Sequence, residues 1–261
     1  MRYLTPIILA AALIPAAASA QTALTTTNYQ QNFDTLASTG STGTALPAGF
    51  AINETGANAD ASYAVGTGSS TAGNTYSFGA AGSTDRALGS LASGSLESTY
   101  GVLFTNALGN TITAFDIAYI GEQWRLGNST DDGLTFQYST NATSLTSGAW
   151  TTVSALNFLP AVIAGTQGAL DGNLAANQRS LAATISGLSI ASGANFGFRW
   201  IDVNSGGNDH GLGVDNFSAK STLATGAVPE PATWGMIILG FGALAGVVRR
   251  RSAASPRVRY A

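Results

Sequence analysis

The sequence contains no cysteine. That excludes disulfide staples, thiol nucleophiles, iron–sulfur clusters and cysteine-held zinc. Histidine occurs once, as His210. Charged residues are only 10% of the 261, well under the ~25% usual for soluble domains. No stretch before Pro229 holds a 3.6-residue apolar period, and no repeat period is visible, so helical bundles and solenoids are excluded. Surface polarity must therefore come from Ser, Thr, Asn and Gln, a composition that suits an exported β-protein.

Positive charge is scarcest where it would matter for nucleic acid. Residues 21–228 hold 13 acidic residues against five basic ones, Arg86, Arg125, Arg179, Arg199 and Lys220. A segment this acidic is a poor partner for nucleic acid or for anionic lipid.

The two ends are apolar. "MRYLTPIILAAALIPAAASAQT" has a basic Arg2, an uncharged apolar run and the small-residue site Ala18-Ser19-Ala20. This is the layout of a secretory signal peptide over residues 1–20, removed on export. At the other end no charge occurs from Pro231 to Val248, and Arg249, Arg250 and Arg251 follow at once. As a helix, 231–248 would rise about 27 Å, close to the ~30 Å of a bilayer core. Basic flanks stay inside. The expectation is a transmembrane helix over 231–248, a cytoplasmic tail over 252–261 and everything upstream outside. Both ends give the same topology.

The segment Pro229-Glu230-Pro231-Ala232-Thr233-Trp234, then an apolar helix, then the Arg cluster, resembles the PEP-CTERM sorting signal of Gram-negative bacteria in its PEPxxW form. The resemblance covers residues 228–251. It implies processing by an exosortase-type protease, passage through the inner membrane, and a cell-surface or extracellular-matrix destination beside exopolysaccharide. The physical chemistry agrees. The prolines keep the recognition peptide extended, Trp234 suits the interface, and the three arginines form a membrane stop.

Between the ends, period-two alternation dominates. Tyr100, Val102 and Phe104 share a face, as do Phe115, Ile117 and Tyr119, Leu134, Phe136 and Tyr138, and Phe196, Phe198 and Trp200. Shorter strands are expected near Phe33, Phe50, Tyr63, Tyr76, Trp150, Ile185 and Val214. Clusters such as "NSTDDG" and "NSGGND" supply turns. About a dozen short strands predict an all-β fold, a single jelly-roll-like β-sandwich over residues 21–220. Residues 221–228 read as a linker to the 229–251 sorting segment. The stretches "FDTLASTGSTGTALPAGF", "GEQWRLG" and "FRWIDVNSGGNDHGLGVDNFS" are similar to a bacterial extracellular β-sandwich module. That module sometimes sits beside nuclease domains, and no such region occurs here. The Phe33 strand is expected to lie beside the Phe217 strand.

Candidate chemistry is thin. His210 sits in a Gly/Asn/Asp loop with no G-x-S-x-G elbow, so a solvated loop histidine is expected rather than a triad. Glu122 beside Trp124 would suit a glycan hydrolase with a second carboxylate; pairing with Arg125 is the structural alternative. Trp124 and Trp150 are candidate glycan contacts, with burial as the competing reading, while Trp200 reads as core. Asp202, Asn204, Asn208, Asp209 and Asp215 offer hard oxygen ligands for a structural calcium, although turns use the same residues. No other cofactor is expected. The sequence thus predicts an exported, non-enzymatic structural or adhesive sandwich sorted by exosortase. A carbohydrate-binding module for exopolysaccharide is the alternative. A glycan hydrolase and an ice-binding protein follow as lesser ones.

Overall fold

The structure is a computed structural model that describes residues 21–225 and 231–252. The expected signal peptide, the Pro229-Glu230 pair and the tail from 253 lie outside the described residues. The chain divides into two compact units, residues 1–223 and 224–261.

The first unit is built of strands: β1 (Thr22–Leu24), β2 (Asn28–Gln31), β3 (Thr42–Gly43), β4 (Phe50–Thr55), β5 (Tyr63–Gly66), β6 (Asn74–Phe78), β7 (Ala87–Leu91), β8 (Glu97–Asn106), β9 (Ile112–Leu126), β10 (Leu134–Ser139), β11 (Thr151–Thr152), β12 (Gly168–Ala169), β13 (Gln178–Ile190), β14 (Asn195–Asp202) and β15 (Gly211–Leu223). Six of them form one sheet in the order β1-β8-β14-β10-β11, with β4 also on β8. Nine form the other in the order β12-β9-β15-β7-β6-β5-β3, with β13 on β9 and β2 on β15. Pairing is antiparallel except for β1 with β8 and β5 with β6.

The alternating residues do what their period requires. Tyr100, Val102, Phe104, Phe196, Phe198 and Trp200 of the first sheet face Phe115, Ile117, Tyr119, Val214 and Phe217 of the second, all in one buried cluster. Aromatic edges bind the layers: Trp200 meets Tyr119 at 5.4 Å and Phe217 at 5.2 Å, both near perpendicular. Such pairs add about 1 kcal/mol each beyond burial. Trp200 is core, as its alternation predicts.

A second, smaller cluster lies on the opposite face of the nine-stranded sheet. Tyr76, Phe78, Ala87, Leu91 and Trp124 bury one another there. The rings of Tyr76 and Phe78 stack at 4.8 Å, and Phe78 lies parallel to Trp124 at 6.1 Å. The neighbouring strand β15 presents glycine at this level. A Cβ on Gly213 would stand 3.1 Å from the Cβ of Ala87 and at ordinary contact distance, 3.6 Å, from both Phe78 and Trp124.

Two local expectations are corrected. Phe33 is not in a strand. It follows β2 with a left-handed φ of 57° and is buried at 1% exposure, an αL position that is rare for a bulky residue. The neighbour relation still holds through β2, whose Gln31 pairs with Phe217. The last strand also runs three residues into the stretch read as linker. Ser221, Thr222 and Leu223 pair with Phe115, Ala114 and Ile112, and the Ser221 amide donates to Thr27 O at 2.7 Å. Polar Ser/Thr composition here marks a strand with solvent on one side, since Ser221 is buried and Thr222 exposed.

The second unit contains a helix, α1 (Pro231–Ser252), of 22 residues. Proline at the first helical position has the required φ and lacks only an amide that would go unpaired. Arginines at the far end complement the helix dipole. Met236, Ile237, Ile238, Leu239, Phe241 and Leu244 are all exposed. The helix expected over 231–248 is present; among the described residues no helix is long and apolar enough to cross a membrane. The side chains of Trp234, Arg250 and Arg251 lie outside the described set.

Candidate functional site

Strand β14 ends at Asp202, and β15 begins at Gly211. The loop between them, Asn/Gly-rich as expected for a turn, is braced against the segment after β9. Amides of Asn128 and Ser129 both donate to Asn208 O, at 2.9 and 3.1 Å, and the Asn208 amide donates to Asn128 Oδ1 at 2.6 Å. Gly207 makes this brace possible. Its φ is +97°, and a Cβ there would stand 2.8 Å from Asn128 Oδ1. Asn208 Nδ2 also donates to Gln167 Oε1 at 2.8 Å.

His210 closes the loop and is fully buried, which corrects the expectation of a solvated histidine. Its Nδ1 accepts from the Gly127 amide at 2.9 Å, and its Nε2 lies 3.1 Å from Ser129 O. A carbonyl only accepts, so Nε2 carries the proton and the ring is held as one neutral tautomer. Gln123 Nε2 adds a contact to Nδ1 at 3.1 Å. With both nitrogens committed to the backbone, the ring braces two loops and is not placed to serve a nucleophile. Its amide donates to Asp132 Oδ2.

A cleft of about 250 Å³ opens beside the loop, lined by Arg125, Asn204, Asn208 and Asp209 with Thr71 and the 91–94 turn. A second, of about 340 Å³, shares Ser93, Gly94 and Asn204 and reaches Glu97. Arg125 Nη1 donates to Gly68 O at 3.1 Å and the Asn204 amide to Glu97 Oε1 at 3.2 Å. Asp209 accepts from the Ser205 amide at 3.0 Å, yet burial pushes its carboxyl up to about 6, against the lowering effect of that bond.

The five residues read as a calcium set divide. Asn204, Asn208 and Asp209 line the cleft. Asp202 is fully buried behind it, with Asp132, Asp209 and Glu97 as its charged neighbours. Asp215 belongs elsewhere: its charge acts on Glu122, and Asp85 and Asp34 act on it. Among the described residues no three His, Asp or Glu side chains group as a metal centre. Asp132, which joins this cluster, was hidden in sequence by the turn composition of "NSTDDG".

Glu122 is only 2% exposed. It does not pair with Arg125. Its Oε2 accepts from Trp124 Nε1 at 3.0 Å and its Oε1 from Gln178 Nε2 at 3.1 Å. Burial, then the charge of Asp215, pushes its carboxyl up to about 8. Asp215 is itself raised to about 7, mainly by burial.

The two candidate glycan tryptophans separate. Trp124 is 1% exposed and cannot stack on a sugar. The segment around Gly172 lies directly on its indole, so that a Cβ at that glycine would stand 2.4 Å from the ring. Trp150 is half-buried, against the small cluster of Ala51, Leu103, Ala142 and Leu145. The Arg199 guanidinium lies 4.2 Å from its ring centroid, and its Nε1 donates to Ser147 O at 2.8 Å.

Residues 227–252 match the family model described as the PEP-CTERM protein-sorting motif. The chain carries a PEP-CTERM sorting motif. The PEP-CTERM segment takes in α1 and the residues just before it, and it marks a secreted protein with a C-terminal sorting signal. Among curated proteins, none matches this sequence. Among solved structures the chain is similar to TmCBM61 in complex with β-1,4-galactotriose, at 9% identity and a TM-score of 0.33 over 66% of this chain and 88% of that one. It is similar to the CBM22-1 xylan-binding domain of Xyn10C from Paenibacillus barcinonensis, at 9% identity and 0.35 over 76% and 95%. The K3 cleaved adhesin domain of Lys-gingipain from Porphyromonas gingivalis is similar at 12% identity and 0.34 over 67% and 93%.

Proposed function

We propose that this is an exported protein whose two-sheet domain is delivered to the cell surface or extracellular matrix, where it has a structural or adhesive role and no catalytic one. The PEP-CTERM segment carries the reading. In this proposal 231–248 spans the inner membrane before processing. Pro229, Glu230, Pro231 and Trp234 form the peptide that an exosortase-type protease recognises, and Arg249, Arg250 and Arg251 stop transfer at the inner face. The exposed row Met236, Ile237, Ile238, Leu239, Phe241 and Leu244 supports the span, because such a surface is favourable only in lipid or against another apolar face. A non-catalytic role is supported by the state of His210 and Glu122, whose polar atoms are committed to buried structural bonds.

Replacing Pro229, Glu230 and Pro231 together by alanine is expected to leave full-length protein in the inner-membrane fraction of the host. Unchanged processing and surface appearance of that variant would refute the assignment.

A second reading, carbohydrate binding, is favoured by the paired clefts around Asn204. Amide, carboxylate and guanidinium groups at one cleft suit the hydroxyls of a sugar. Retention of the full chain on the host's own exopolysaccharide, weakened at least several-fold by Asn208→Ala, is the expected result. No retention on any polysaccharide leaves the structural role alone.

A further inference from the structure

Behind the cleft lies a group of buried oxygens that the sorting and surface roles do not use. Asp202 continues the alternation of Phe198 and Trp200 and so turns toward the sandwich interior. It is fully buried, and neither of its carboxylate oxygens has a hydrogen-bond partner among the described residues. Asp132 is 3% exposed; its Oδ2 is held by the His210 amide, but its Oδ1 has no partner. The hydroxyls of Ser90 and Tyr100, both fully buried, are unpartnered too.

These groups are neighbours. Asp202 pairs with Leu134, two residues after Asp132, and Trp200, two residues before Asp202, pairs with Tyr100. Ser90 lies close enough to affect both Asp202 and Tyr100, although it meets neither in hydrogen-bond geometry. Asp209 and Glu97 add further negative field at Asp202.

Two buried carboxylates with free oxygens and no countercharge are costly, and proteins remove that cost by pairing, protonation or a metal. The cationic side chains nearby are committed elsewhere. Arg125 donates to Gly68 and Ser69 carbonyls, Arg86 to Ser77, Ala80 and Gly66, and His210 is neutral with both nitrogens used. The donors that remain are all hard oxygens, which exclude zinc's preferred nitrogen and sulfur and suit calcium.

We infer that Asp202 and Asp132 together hold one calcium ion, with the Ser90 and Tyr100 hydroxyls completing the polar lining. The site differs from the one the loop composition suggests. It is formed where the end of β14 meets Asp132 just before β10, and the cleft residues Asn204 and Asn208 lie outside it. Its position joins β7, β8, β10 and β14, so the ion would tie the two sheets at this end. A calcium affinity near 10⁻⁴–10⁻³ M is the range of extracellular modules.

The test uses the purified full-length chain in detergent. Equilibrium dialysis against 10 mM calcium should leave about one calcium per chain, and replacing that calcium by EGTA should lower the melting temperature by several degrees, by linkage of binding to folding. Asp202→Asn and Asp132→Asn should each abolish bound calcium and the EGTA effect, while Glu122→Gln retains both. If either Asn variant fails to fold, the dialysis and EGTA measurements on the unaltered chain decide. No retained calcium together with a melting temperature indifferent to EGTA would overturn the inference and leave Asp202 as a buried protonated acid. Stoichiometric calcium that survives in both Asn variants would also overturn it, by placing the ion elsewhere.

Discussion

Glutamine in place of Glu122 is expected to make the domain more stable than the native chain at pH 9, and to flatten its dependence on pH. Glu122 has a folded-state value raised to about 8, first by burial and then by Asp215. The folded state therefore binds this proton more tightly than the unfolded chain, whose value is near 4.5. Such a group contributes stability that is fully present below the unfolded value and is lost as pH rises through the folded one. The loss runs across roughly pH 4.5 to 8 and totals on the order of 3–5 kcal/mol, at about 1.4 kcal/mol per unit. Asp215, raised to about 7, loses stability in the same direction over a lower window.

The glutamine variant has no charge to bury. Its amide can accept from only one of the two donors, Trp124 Nε1 and Gln178 Nε2, which costs about 1 kcal/mol. The two proteins should therefore cross: the native chain slightly more stable at pH 4.5, the variant clearly more stable at pH 9. Urea unfolding at pH 4.5, 7 and 9 measures this. Parallel curves for the two proteins would show that Glu122 is not the group that titrates.

Trp124→Ala is expected to cost about 3–5 kcal/mol, the range for a fully buried aromatic. The indole is sandwiched between Phe78 and the Gly172 backbone, and its loss also removes a donor from Glu122. Trp150→Ala should cost only about 1 kcal/mol, since the ring is half-buried and its partner Arg199 keeps bonds to Gln137 and Leu145. Equilibrium unfolding of the two variants side by side checks the contrast. Equal losses would mean that Trp124 is not the keystone of the second cluster.

That contrast also shows where sequence reading stops. Residues 100–104, 115–119 and 196–200 were legible because strict alternation between two sheets leaves one face apolar, and the structure buries that face. Trp124 belongs to the same alternation but to the other face. Its burial depends on the segment around Gly172, some 50 residues later, which lies on the indole and which no local pattern encodes. His210 failed for a related reason. Loop composition argues for solvent, whereas burial here comes from backbone donors and acceptors at Gly127 and Ser129. Asp132 was indistinguishable from turn chemistry until β10 and β14 were seen to pair, bringing it to Asp202. In the C-terminal segment the sorting motif over 227–252 and a helix over 231–252 were legible, because a linear motif needs no long-range pairing to bring its parts together.

In the proposed route the sandwich is released to the exterior from a membrane-held precursor. It is tested most directly by the intact mass of the protein recovered from the surface or matrix of its host. The expected C-terminus lies within or close to Pro229-Glu230-Pro231, with the helix that ends at Ser252 missing. Recovery of surface protein that still carries that helix and its arginines would contradict it.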